Sequence, residues 1–276
     1  MRKVANRYIP VYLLRHPTNK SGTIADGVIV SLTSFPARID KVWIVVESIK
    51  RQSVLPTKII LWLSKEQFPS PNLIPQSLQD RVDGQFEIRF VDDDIRSHKK
   101  YYYVMQEYPD NTIVTCDDDI YYHPDMLKNL CDASKKFPGC IIANRTTRIS
   151  WTKDGELLPY LEWNSKFEPY SLQDKVQTGV GGVLYPPRSL SGIVLRRDVF
   201  MDVAPFADDL WLNMAARLNN TCVVQAPRQI YPLSIENQSP SLSQINNGFE
   251  KMNDKQIAAM REWLKKESLR DVFLCE

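Results

Sequence analysis

Neither sign of charge dominates this sequence: Lys plus Arg total 35 against 33 Asp plus Glu, a formal net charge of +2. With no long basic segment standing out from this balance, a nucleic-acid partner is not expected. Long apolar runs are missing too. The segment Tyr8 to Leu14 is short, contains Pro10 and runs into Arg15 and His16, so neither a signal peptide nor a membrane span is expected. The cysteines, Cys116, Cys131, Cys140, Cys222 and Cys275, have no metal-like spacing and form an odd set. Reduced thiols in an intracellular, cytoplasmic protein are therefore expected rather than a disulfide framework. Arg2, Lys3, Arg7, Arg15 and Lys20 leave room for peripheral contact with an anionic membrane surface, a solvated terminus being the commoner reading. Internal repeats, coiled-coil heptads and low-complexity tracts are absent.

What is present is a chain of 276 residues, 43% hydrophobic and 25% charged, enough for one large core. After a poorly defined lead-in over residues 1 to 26, apolar runs at Val28 to Leu32, Ile59 to Leu63, Phe86 to Val91, Thr112 to Cys116 and Cys140 to Ala143 read as strands. Helices are expected over Ile39 to Gln52, after a cap at Ser97, from Pro124 to Lys136, from Asp208 to Leu218 and from Asp254 to Lys266. This alternation predicts an α/β fold, a mostly parallel central sheet flanked by helices, with ligands beyond the carboxyl ends of the strands. Residues 27 to 143 would form a nucleotide-binding half and 144 to 276 an acceptor half. A polar, turn-rich interval is expected over residues 236 to 249.

Acids collect just after the strands. Thr112 to Cys116 leads straight into Asp117, Asp118 and Asp119; extended geometry would point Asp117 and Asp119 to one side and Asp118 to the other. Carboxylates this close repel, and a Mg2+ or Mn2+ ion shared with diphosphate oxygens would relieve the repulsion. Asp92, Asp93 and Asp94 repeat the pattern, followed by Arg96, His98, Lys99 and Lys100, whose cationic side chains suit phosphate. Thr33, Ser34, Phe35 and Arg38 follow the first strand without the glycines of a phosphate loop. The competing readings are an exposed acidic turn without a ligand for Asp117 to Asp119, surface ion pairs around a helix start for the second group, and a structural turn for the third.

Taken together, Val28 to Arg38, the region from Asp93 to Tyr101, the DDD motif, Gly181-Gly182 and the segment Ala207-Asp208-Asp209-Leu210-Trp211 resemble the GT-A glycosyltransferases, especially the family 2-like enzymes of bacterial surface-polysaccharide synthesis. The resemblance implies that Asp117 and Asp119 are the aspartate-any-aspartate motif, with Asp119 the direct ligand of Mn2+ or Mg2+. It further implies a donor site lined by Thr33, Phe35, Arg38, Asp93, Lys99, Lys100, Asp117 and Asp118, for a UDP- or GDP-sugar. Asp209 would be the base and Asp208 its sugar-binding or orienting neighbour; an N-cap pair is the structural alternative. Arg145, Trp151, Trp163, Gly181, Gly182 and Tyr185 would receive a glycan or lipid-linked saccharide acceptor. The resemblance is incomplete at the C-terminal side, where some metal-dependent relatives carry a histidine and this chain, with His16, His98 and His123, has none.

The implied reaction moves a sugar from a nucleotide-diphosphate donor to an acceptor hydroxyl with inversion, at a cytoplasmic site and in contact with the inner face of a bacterial membrane if the peripheral association holds. Two other functions compete. A sugar-nucleotide nucleotidyltransferase would share the fold and the acids, yet its glycine-rich basic loop is not evident. A noncatalytic carbohydrate-binding protein would explain the aromatic loops but not the acids at the strand ends.

Overall fold

The computed structural model describes residues 2–16, 18, 22–172, 174–236 and 251–275. The polar interval read over 236 to 249 lies, beyond Glu236, outside the described residues. Strands β1 (Thr23–Thr33), β2 (Val54–Ser64), β3 (Phe86–Val91), β4 (Thr112–Thr115), β6 (Ile141–Ala143), β9 (Val183–Tyr185) and β10 (Val223–Gln225) build a central sheet in the order β10-β6-β9-β4-β1-β2-β3. All its pairings are parallel except those of β9, which runs antiparallel between β4 and β6. The sheet is thus mixed and mostly parallel, flanked by helices, the α/β architecture that the sequence predicts. Two small antiparallel pairs accompany it: β5 (Ile120–Tyr121) with β11 (Leu233–Ser234), and β7 (Thr146–Arg148) with β8 (Lys175–Gln177).

The helices are α1 (Arg2–Arg15), α2 (Ile39–Lys50), α3 (Gln76–Gln79), α4 (Lys99–Glu107), α5 (Met126–Lys136), α6 (Arg197–Val203), α7 (Asp208–Leu218) and α8 (Met252–Lys266). Despite its β-branched residues α2 is helical, because Val42, Val45, Val46 and Ile49 are completely buried against the sheet; burial outweighs a propensity cost of a few tenths of a kcal/mol per residue. The chain before residue 27 is more regular than expected, comprising α1 and the start of β1. Gly27 (φ 71) breaks the β1–β2 register between Ala25 and Ile29, and Pro56 sits inside β2 opposite that break. A proline without an N–H is tolerated where the ladder is already irregular.

The expected cap at Ser97 is not formed. A 3-10 turn, Arg96–His98, precedes α4, whose N-cap position is His98 without a side-chain cap bond. His98 is buried, stacks on Phe200 at 4.3 Å and hydrogen-bonds Tyr101 and the Ala204 carbonyl, so it serves the core rather than phosphate. Burial lowers its pKa to about 4.

The expectation of five reduced cysteines is corrected by a Cys140–Cys222 disulfide, with Cys116, Cys131 and Cys275 free. The cause is sheet register. Ile141 pairs with Val223 in parallel strands, which sets the preceding residues side by side, 82 positions apart in sequence. Disulfides persist in oxidising compartments, so the step from reduced thiols to a cytoplasmic placement loses its premise. Among the described residues no helix is long and apolar enough to cross a membrane.

Candidate active site

The carboxyl ends of β1 and β4 and the N-termini of α4 and α7 face one cleft of about 700 Å³. Its lining includes Thr33, Phe35, Arg38, Lys99, Lys100, all of Asp117 to Asp119, Arg145, Trp163, Asp208 and Asp209. The α/β connection is what gathers them: parallel strands end on one edge, and each loop there opens toward the same crevice.

The acidic turn departs from the expected alternation. β4 ends at Thr115, and Asp118 and Asp119 lie in a turn. Arg38 Nη1 therefore reaches two consecutive acids, Asp118 Oδ1 at 2.7 Å and Asp119 Oδ2 at 3.1 Å. Ser34 Oγ donates to the other oxygen of Asp118 at 2.6 Å. Asp118 is buried and fully engaged in tying the β1 turn to the β4 turn, whereas Asp117 and Asp119 are half-buried on the cleft. Desolvation and the neighbouring Asp117 push the Asp119 carboxyl up to about 6, against the pull of Arg38.

On the opposite wall, Lys100 Nζ lies 3.1 Å from Asp117 Oδ1 and 2.8 Å from Asp208 Oδ2. Burial opposes its charge, but Asp117, Asp208 and Asp209 outweigh burial and raise its pKa well above the usual lysine range. Asp208 and Asp209 are not caps. The N-cap position of α7 is Ala207, without a side-chain bond, and both acids stand in the first turn. There they diverge. Burial works against ionising Asp208, yet the surrounding cations led by Lys100 hold its pKa below the ordinary carboxylate value. Asp209 instead uses its Oδ2 to accept the Gly179 N–H at 2.8 Å, and desolvation followed by repulsion from Asp208 pushes it up to about 7. The two adjacent carboxyls are thus driven apart, Asp208 held ionised by its cations and Asp209 able to exchange a proton near neutrality.

Gly179 is the central residue that the sequence reading missed. A Cβ at this position would meet Asp117 Oδ1 at 3.0 Å, Lys100 Nζ at 3.2 Å and Asp209 Oδ1 at 3.3 Å. The backbone passes through the middle of the acid cluster, where only glycine avoids crowding the charged groups. Ser34, Gln67, Asp94, Arg96, Tyr160 and Phe206 also line the cleft. Arg96, at φ 56, lays its guanidinium 4.0 Å from the centre of the Phe206 ring.

Several expected residues are placed elsewhere. Asp93 pairs with Arg197 and is not among the lining residues; Asp94 is, bonded to Lys99 and Gln67. Trp151 donates its indole N–H to the Phe273 carbonyl, away from the lining. Gly181 (φ 101) and Gly182 (φ 91) make the turn into β9, where Gly182 packs on Met126. Tyr185 is buried in β9, and desolvation together with Asp209 raises its pKa well above the tyrosine range. Trp163 is buried, donates to the Leu158 carbonyl and packs beside Tyr160 at 5.0 Å between ring centres. The exposed Arg145 borders the same wall.

Among the described residues no group of three or more His, Cys, Asp or Glu is placed to hold a metal ion. Of the carboxylates lining the cleft, Asp117 and Asp119 are the half-buried pair of the acidic turn, oxygen donors of the kind that hold Mg2+ or Mn2+ when phosphate oxygens complete the shell. Burial and the neighbouring Asp117 keep the Asp119 carboxyl raised despite Arg38 at 3.1 Å, so a cation arriving with an anionic ligand would favour its ionised form.

No family model matches the chain, and no curated protein does. Solved structures similar to it include HddC from Yersinia pseudotuberculosis in complex with GMP-PN, at 12% identity over 75% of this chain and 92% of that one, TM-score 0.44. Another is TarS residues 1-349 from S. aureus, at 12% identity and TM-score 0.48; the match spans 76% of this chain and 59% of that one. Apo UDP-glucose pyrophosphorylase shares 10% identity over 89% of this chain and 99% of its own, TM-score 0.40.

Proposed function

We propose that this chain is a glycosyltransferase that moves a sugar from a nucleoside-diphosphate sugar to a hydroxyl of a glycan or glycolipid, with inversion. The observation that carries the reading is the pairing, within one cleft, of the acidic turn Asp117 to Asp119 with a second carboxyl, Asp209, poised near pH 7. Asp209 accepts the proton of the acceptor hydroxyl as that oxygen attacks the anomeric carbon; the bond from that carbon to the diphosphate breaks, and the nucleoside diphosphate leaves. Asp208, locked to Lys100, fixes the start of α7 and with it the aim of Asp209.

Thr33, Phe35 and Arg38 line the donor side with Asp117 and Asp118, and Lys99 stands on the same wall. Asp117 and Asp119 would hold Mg2+ or Mn2+. When bound, that ion supplies countercharge to the leaving diphosphate. UDP- and GDP-sugars both suit this chemistry. Arg145, Tyr160 and Trp163 would form the acceptor wall, with Trp151, Gly181, Gly182 and Tyr185 outside the lining.

Donor binding tests the assignment of Asp119. Calorimetric titration of UDP- and GDP-sugars with and without Mn2+ is expected to show cation-enhanced affinity, and Asp119→Asn is expected to weaken it by on the order of tenfold or more, since charge-assisted contacts contribute about 1.5–3 kcal/mol. Unchanged cation-dependent affinity in Asp119→Asn would remove the coordinating role.

Gly179→Ala provides an independent check. The added methyl forces Asp117, Lys100 and Asp209 apart by tenths of an ångström, and displacements on this scale cost turnover roughly ten- to a hundredfold. Thermal melting should stay close to wild type while the transfer rate falls. A fully active Gly179→Ala protein would mean that the cluster is not the reacting centre.

A further inference from the structure

We propose that the outward face of α1 is a docking surface for an anionic lipid bilayer. The inference stands apart from the reaction proposed above. Residues 2 to 16 contain Arg2, Lys3, Arg7 and Arg15 and no Asp or Glu, so the helix is cationic without internal compensation.

At about 100° per residue the helix divides into two faces. The inner one is fastened to the body: Leu13 is buried in the main core, and Ile9 packs against it. Asn6 donates to the Ser234 carbonyl at 3.0 Å and accepts the Glu236 N–H at 2.8 Å. The opposite face carries Val4, Tyr8, Val11, Tyr12 and Leu14, all exposed, with Tyr8 at 63% and Leu14 at 65%. Five of the thirteen large exposed hydrophobic side chains among the described residues fall on this one helix, which makes the patch a concentrated feature rather than ordinary surface scatter.

The composition of the face selects its occupant. Tyrosines and aliphatic residues flanked by Arg7 and Arg15 match a bilayer interface, where rings sit at headgroup depth and guanidinium groups reach phosphates. A second copy of the chain would set two uncompensated cationic helices against each other, which charge repulsion disfavours. The inner face of the helix is linked to the acidic turn of the cleft. Asn6 holds residues 234 and 236, and between them the Ile235 N–H donates to the Asp119 carbonyl at 2.7 Å.

Co-sedimentation of the full chain with vesicles of phosphatidylcholine alone, or with about a third phosphatidylglycerol, tests the proposal. Binding is expected only to the anionic vesicles and is expected to weaken in high salt. Replacing Tyr8, Val11 and Tyr12 together by Ser should lower the partition coefficient at least tenfold. Arg7→Ala and Arg15→Ala should each lower it about fivefold, the scale for one basic residue at an anionic surface. The doubly reversed R7E/R15E variant keeps the apolar face intact and should abolish binding, so the test does not depend on the triple variant folding. Equal binding to both vesicle types, no binding to either, or a triple variant that binds as wild type would overturn the proposal. So would a dimer in sedimentation velocity that the triple variant dissolves, since a second copy would then be the occupant.

Discussion

Asp209→Asn is expected to lower sugar transfer by about 10²- to 10⁴-fold, the usual contribution of a positioned general base, while donor affinity stays near wild type. The isosteric amide keeps the shape of the α7 turn and removes only the proton acceptor. In the unaltered protein, kcat/KM is expected to rise with pH through a midpoint near 7, because the group must be ionised to act and is pushed up to about 7. Stability moves the other way. A carboxyl whose folded pKa is raised binds its proton more tightly in the folded state, so its contribution is fully present below the unfolded value near 4 and is lost as pH rises through 7. Asp209→Asn should therefore melt higher than wild type at pH 8 and show little gain at pH 4. An active variant, or one less stable at pH 8, would show that Asp209 is a structural residue.

Lys100→Met should produce the largest loss of stability. The substitution leaves Asp117 and Asp208 without the cation that lies 3.1 Å and 2.8 Å from them. Lys100 and Asp208 are both about 5% exposed, and removing one partner of a buried pair costs about 3–5 kcal/mol. Because Lys100 holds the Asp208 pKa down, that pairing stabilises above the unfolded carboxylate pKa and fades as pH falls through the folded one. The deficit measured by urea unfolding should accordingly be greatest at neutral pH and shrink toward pH 4, where the stranded acids take up protons. A loss below about 1 kcal/mol at pH 7 would mean that water or relaxation replaces the lysine, the usual result for exposed pairs.

The strand runs and the acids that end them were legible because burial and charge are local properties of sequence. Phe86–Val91 and Asp208–Leu218 keep the expected bounds. Lys99 and Lys100 could not be told apart in that way. Successive helical residues point about 100° apart, so Lys99 turns to Asp94 while Lys100 turns to Asp117 and Asp208. The triplet from Asp92 to Asp94 is divided among three cations, Lys65, Arg197 and Lys99, drawn from separate parts of the chain.

Other features arise only from pairings distant in sequence. β9 is three residues long and lies antiparallel between two strands of the opposite sense; no periodicity announces so short an element. Its insertion brings the preceding loop across the sheet end and sets Gly179 among the acids. The same long-range register joins Cys140 to Cys222. Gly181 and Gly182 stand out in the sequence as an adjacent pair, but the glycine beside the charged groups is Gly179, two residues before Gly181.

The central claim concerns which bond breaks, and the released product reports it directly. The purified chain would be incubated with UDP- and GDP-sugars, Mn2+ and a panel of glycan and glycolipid acceptors, and in parallel with nucleoside triphosphates and sugar 1-phosphates. Nucleoside diphosphate is expected from the first set, released with an acceptor heavier by one sugar of inverted anomeric configuration, and no pyrophosphate from the second. Pyrophosphate release with formation of a nucleotide sugar would contradict it and make the chain a nucleotidyltransferase.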